Sequence, residues 1–313
     1  MKQTVNTIQS SPNPNNFLLF NRVVIVKSLE PEEFDSASAL SDYVRTQIDD
    51  CGLQIPVEIL DCDSANEFLD ILDQLTQKAS TNNERPILHI ECHGDPTTGL
   101  EFANGSELSW KDVGENLTRL NKATDFNLFV VFAACFGFHF LGQLSPVTSS
   151  PCWGMIGPTN KVDPGEILRG FRTFYRTLFS TIDLSKALGS ISNEKLDHSS
   201  WFAQIAETWF LRICYEYIRD HCTLKQTQER AKNLKAIARA NGARVWLKDV
   251  EAQLRYRNTH DILGKYFDSY FMIEEIPGNK TRFQNTHHML QDMIKKMRSE
   301  KYALSTYSLE RTR

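Results

Sequence analysis

Over the first two hundred positions, two hydrophobic rhythms alternate along the chain. Short, nearly unbroken apolar runs, "RVVIVKSL" (22–29), "PVEILDC" (56–62), "PILHIEC" (86–92), "FNLFVVFAA" (126–134) and "CWGMIG" (152–157), predict five strands. Between them, apolar residues recur three and four positions apart, the spacing of an amphipathic helix. Leu40, Val44 and Ile48 mark one face over 34–48, and Leu168, Phe171, Phe174, Tyr175 and Leu178 stripe 166–179. Ser64, followed three residues later by Glu67, opens a helix over 64–75 with a capping-box pattern. Further helices are expected over 110–121 and 183–192. "DPTTGLEFANGSELSW" carries Asn104-Gly105 between short apolar segments and reads as a small hairpin. Strands apolar on both faces, alternating with helices, imply an α/β fold with a mostly parallel sheet covered on both sides.

From about residue 200 the pattern becomes helical, through "WFAQIAETWFLRICYEYIRDHC", "TQERAKNLKAIARANG" and "HHMLQDMIKKMRSEKY", with strand character only near "YFMIEEI" (270–276). The expected division is a disordered polar lead-in over 1–16, an α/β domain over 17–199 and a helical module over 200–313. Charge follows the same division. Residues 1–200 hold 15 Lys and Arg against 26 Asp and Glu, whereas 201–313 hold 20 against 13, or +7. A solvated basic face explains this, and so does a surface for a regulatory partner. Aromatic residues are sparse among the basic helices, so nucleic acid is neither supported nor excluded as that partner.

No apolar run approaches the roughly 20 residues of a membrane span, and the lead-in lacks the apolar stretch of a secretory signal. The seven cysteines, at 51, 62, 92, 135, 152, 214 and 222, are scattered and without CxxC spacing. A reducing cytoplasm is therefore expected rather than a disulfide framework or zinc ribbon. The Asn116-Leu117-Thr118 sequon carries no meaning there. No glycine-rich phosphate loop is present, which leaves an NTPase unsupported. No cofactor and no metal are expected. His89, Glu91 and His93 alternate onto one strand face, but a metal would compete for His93, and Cys92 points to the opposite side.

Two strands end on reactive side chains. "ILHIECHG" finishes with His93-Gly94, and "FNLFVVFAACFG" with Cys135-Phe136-Gly137. In a parallel sheet, reactive groups gather beyond the carboxyl ends of the strands. A cysteine needs a base or cation to become a thiolate, and histidine is the usual one. Gly94 permits close backbone approach, and the N–H groups of Gly94 and Cys135 are candidates for an oxyanion hole. His139, four residues past Cys135, reads as packed or exposed.

"HIECHGD" followed by "VVFAACFGF" resembles the caspase-like cysteine peptidases, the group of caspases, metacaspases, gingipains, separases and CHAT proteases, and is most similar to the CHAT and separase branch. The histidine precedes the cysteine by 42 residues, comparable to the caspase spacing. The similarity covers roughly 20–192 and continues into "WGMIGPTNKVDPGEILRGFRTFYRTLFSTIDLSKAL". It implies a caspase-like fold and a cysteine endopeptidase acting on a partner protein, with catalytic His93 and Cys135, as in bacterial defence or cell-death systems. Ala133 stands where many members that cut after basic residues carry Asp, and the caspase Gln before Ala-Cys is missing. Asp163 in "NKVDPG" matches the separase-branch loop Asp that faces the specificity pocket. It reads equally as a turn residue before Pro164, with Lys161 a potential internal partner. The resemblance is also compatible with a catalytically silent scaffold that binds through its helical module.

Overall fold

The computed structural model describes residues 7–9, 18–298 and 301–306. Its centre is a six-stranded sheet. The strands, numbered here along the chain, are β1 (Arg22–Lys27), β2 (Val57–Asp61), β3 (Pro86–Glu91), β4 (Phe129–Ala133), β5 (Gly154–Pro158) and β6 (Trp201–Ile205). They lie side by side in the order β6-β5-β4-β3-β1-β2. All pairs are parallel except β5 with β6, which is antiparallel.

Five of the strands were expected. The sixth forms where the sequence pattern predicts the start of a helix, and with it the α/β unit runs through Ala206. The pairing of Gly154–Pro158 with Trp201–Ile205 explains why. Local periodicity favours a helix through "WFAQIAETWF", but an antiparallel partner supplied from elsewhere in the chain fixes the first five residues as strand.

Helices α1 (Ser36–Asp50), α4 (Pro164–Thr181) and α5 (Leu184–Ser192) pack with one another, and α2 (Ala65–Asn82) packs with α3 (Trp110–Ala123). The strand side chains alternate between these layers, as a period of two requires. Phe129 stacks on Phe174 of α4 with centroids 5.9 Å apart, while Phe132 meets Trp110 of α3 edge-on at 5.9 Å. β1, β3 and β4 are almost entirely buried. The α2 cap forms as the sequence implies, with the Ser64 hydroxyl accepting from Glu67 N–H. The expected hairpin is a three-stranded antiparallel sheet of His93–Asp95, Gly99–Glu101 and Glu107–Leu108, turned at Asn104-Gly105. Of the lead-in, only 7–9 are described. Ile8–Gln9 there pairs antiparallel with Leu19–Phe20, and the rest of that expectation lies outside the described residues.

The second unit comprises 145–149 and 207–313. It is helical: α6 (Ala206–His221), α7 (Leu224–Ala240), α8 (Leu247–Asp261), a π-helical turn at Ile262–Tyr266, two single-turn helices and a final helix, Gln284–Met297. Its core gathers Phe210, Phe267, Tyr270, Phe271 and Phe283. The strand character near 270–276 is not realised: Phe267–Tyr270 is helical and turns follow. No helix among the described residues is long and apolar enough to cross a membrane.

Candidate active site

The strand order places a crevice before any side chain is considered. Between β1 and β3 the order of the parallel strands reverses, and at such a switch point the loops leaving the two carboxyl ends diverge to opposite faces of the sheet. Two side chains meet there. His93, which follows β3, points Nε2 at Glu33 Oε1 across 2.9 Å, and Glu33 belongs to the loop that follows β1. Glu33 is itself held, because its Oε2 accepts the Glu30 N–H at 2.7 Å. This carboxylate is a functional candidate that the sequence did not single out.

His93 and Cys135 follow the ends of two paired strands. β3 and β4 are parallel neighbours, with Glu91 opposite Ala133, and two residues further along each chain stand His93 and Cys135. Gly94 fixes how closely the two segments approach. A Cβ built on Gly94 would lie 2.2 Å from the Cys135 carbonyl oxygen and 3.3 Å from its carbonyl carbon. Only a residue without a side chain fits against that backbone. Gly137 plays the matching part on the other strand end, where an added Cβ would meet Phe132 Cβ at 2.8 Å. Between them Phe136 adopts the left-handed conformation, with φ of 61°, a strained position for an aromatic residue. The turn after the cysteine is thus over-determined by close packing on both sides.

Cys135 Sγ donates to the Val162 carbonyl at 3.9 Å, and no hydrogen bond joins it to His93. The same loop reaches the next residue, since Phe136 N–H donates to the Asn160 carbonyl at 3.4 Å. Asp163 follows Val162 and is exposed, but its carboxylate is engaged: it caps α4, Oδ1 accepting the Gly165 N–H at 2.8 Å, with Pro164 in the first helical turn. Asp163 and Lys161 form no ion pair with each other. His139 is exposed and sits edge-on to Phe136 and Phe138. Asp95, at the far end of the His93 strand, orders the hairpin by accepting from the Thr97 hydroxyl and the N–H groups of Thr97 and Thr98. Those bonds, the Thr97 hydroxyl first, hold its carboxyl below the ordinary value.

His89 and Glu91 share the His93 face of the strand as the alternation requires, but both are buried in the core. His89 lies edge-on to Phe171 and its Nδ1 is 3.4 Å from the Tyr175 hydroxyl. Glu91 Oε1 accepts from the Ser36 hydroxyl in the first turn of α1. That bond ties the start of α1, and so the loop bearing Glu33, to the end of β3.

Burial separates the thiols. Cys92, beside the site, is enclosed, and desolvation pushes it up strongly. Cys62 is pushed up to about 11, again mainly by burial. Among the cysteines only Cys51 is exposed and only Cys135 is partly exposed, so Cys135 is the accessible thiol of the crevice. No protein-family model and no curated protein sequence matches the chain.

Proposed function

We propose that the protein is a caspase-like cysteine endopeptidase in which Cys135 is the nucleophile, His93 its acid–base partner and Glu33 the residue that positions His93. The observation that carries this reading is the close approach of the two strand-end segments beyond the paired strands β3 and β4, with Gly94, next to His93, pressed against the Cys135 carbonyl. In this reading the Cys135 thiolate attacks the scissile carbonyl carbon. His93 passes a proton to the amine as the carbon–nitrogen bond breaks, and water then hydrolyses the thioester. The N–H groups of Gly94 and Cys135 stabilise the oxyanion, a contribution of about 3 kcal/mol per donor in comparable sites.

A second reading, a silent scaffold, draws on one feature: the thiol's hydrogen bond goes to the Val162 carbonyl and not to His93. Rotation about the Cα–Cβ bond of Cys135 separates the two readings, because hydrogen bonds in resting sites commonly tighten only when substrate binds. Incubating the full chain with a peptide library and mapping the cut sites decides between them. The expected result is cleavage after basic or small residues and not after aspartate, with Asp163 receiving the basic side chain through the carboxylate oxygen not used in capping. An uncut library, together with a Cys135 that alkylates no faster than Cys51, would overturn the peptidase reading.

Glu33 yields a prediction of its own. Glu33→Gln keeps the shape but removes the charge that orders the His93 ring, so kcat should fall about tenfold with KM unchanged. Glu33→Asp should recover part of the loss. Equal effects on kcat and KM would assign Glu33 to substrate binding instead.

A further inference from the structure

The α7–α8 hairpin of the helical unit carries a second feature, independent of the peptidase reading. From Arg230 to Lys248 the chain holds six cations (Arg230, Lys232, Lys235, Arg239, Arg244 and Lys248) and no carboxylate. Lys232, Lys235 and Arg239 recur at three- and four-residue spacing, so they share one face of α7 over about 10 Å. All three are exposed, as is Arg244 in the turn. None of these four forms an ion pair among the described residues. Such a run of like charge sets up a local positive potential that attracts a polyanion.

Beside these cations lies a groove of about 620 Å³, lined by Lys235, Arg239, Gly242, Ala243, Arg244, Val245 and Trp246. Trp246 is 73% exposed, and its ring enters no aromatic or cation–π pair among the described residues. An indole left this open on a small-residue turn presents a flat apolar face, and the charged residues that line the groove with it are all cationic.

We propose that this groove binds single-stranded nucleic acid, with Lys235, Arg239 and Arg244 on successive phosphates and Trp246 stacked on a base. Cations tracking a backbone beside an aromatic platform are the two components such binding requires. Arginine suits the phosphates because its planar fork donates two parallel hydrogen bonds. A membrane surface fits less well. The side of α7 opposite the Lys232, Lys235 and Arg239 face exposes only Leu234 and Ile237 as large apolar residues, a small area for insertion into a bilayer. An acidic peptide would meet the cations but offers Trp246 a stacking partner only where an aromatic residue stands among its carboxylates, whereas every nucleotide carries a base.

The test is anisotropy of fluorescein-labelled 15-mer oligouridylate and oligothymidylate titrated with the full chain between 50 and 200 mM salt. Binding to at least one is expected, with affinity falling against salt on a logarithmic slope of about −2 to −3, as three or four neutralised phosphates dictate. Stronger binding by one of the two identifies RNA or DNA as the source. R239E combined with R244E should weaken binding by more than tenfold and flatten the slope. W246A should weaken it by about tenfold at unchanged slope, and W246F should restore it. Unaltered thermal melts establish that the variants are folded. Absence of binding to both oligonucleotides at 50 mM salt, or binding indifferent to these substitutions, overturns the proposal. So does capture of polyglutamate or phosphatidylserine vesicles with the same response to them, which would assign the groove to an acidic protein or a lipid surface.

Discussion

Cys135→Ala is expected to remove peptide cleavage entirely, and His93→Ala to lower it by several orders of magnitude. The two losses should be nearly equal, and the double variant no worse than either alone, because residues that act as a unit are not additive. The reasoning starts from accessibility. Five of the seven cysteines are buried, and desolvation disfavours the thiolate at Cys62, Cys92, Cys152, Cys214 and Cys222. Only Cys51 and Cys135 can meet solvent, and of these only Cys135 has a histidine on the adjacent strand end. In a Cys51→Ser background, iodoacetamide therefore reads Cys135 alone. Its alkylation at neutral pH should slow markedly in His93→Ala, since the imidazole is the group that favours the thiolate. Circular dichroism should be unchanged, because Cys135 is only partly buried and His93 is exposed. Full turnover by folded Cys135→Ala would remove the nucleophile, and an unchanged alkylation rate in His93→Ala would show that the pair is not functionally joined.

The parts of this site that were legible in the sequence are those that local patterning controls. A continuous apolar run ending in His-Gly or Cys-Phe-Gly marks both a buried strand and its carboxyl end, so the strand-end positions of His93 and Cys135 are legible without knowing the strand order. Glu33 was not. In "EPEE" it looks like any solvated acidic turn, and its meeting with His93 arises only because β1 and β3 are neighbours in the sheet. Periodicity carries no information about that adjacency. Asp163 shows the opposite case. Asp-Pro-Gly before an apolar stripe is itself a helix-start signal, and the carboxylate caps α4 accordingly. β6 was missed for the same reason as Glu33, since its conformation is set by pairing with a strand some fifty residues earlier.

Gly94→Ala is expected to lower activity about a hundredfold through a single methyl group. Its Cβ would sit 2.2 Å from the Cys135 carbonyl oxygen, far inside the distance at which two such atoms can coexist. The obstacle is backbone on both sides and cannot rotate aside like a flexible side chain. Either the His93–Asp95 strand lifts away or the turn at 134–136 retreats. Each is anchored: the strand by pairing with Gly99–Glu101 and the Asp95 turn, the Cys135 turn by Asn160 and by Gly137 against Phe132. Relief of the overlap therefore separates His93 from Cys135 by something near an ångström. Displacements of that size in a reacting pair lower rates by about a hundredfold, while overpacking lowers stability by about 1–3 kcal/mol. Measuring kcat/KM alongside urea unfolding distinguishes misplacement from unfolding. Gly142→Ala serves as the control, because nothing lies within 4 Å of a Cβ added there, and it should leave both unchanged. A Gly94→Ala variant that keeps wild-type turnover would mean that the contact does not set the spacing of His93 and Cys135, and the geometric basis of the dyad would fail with it.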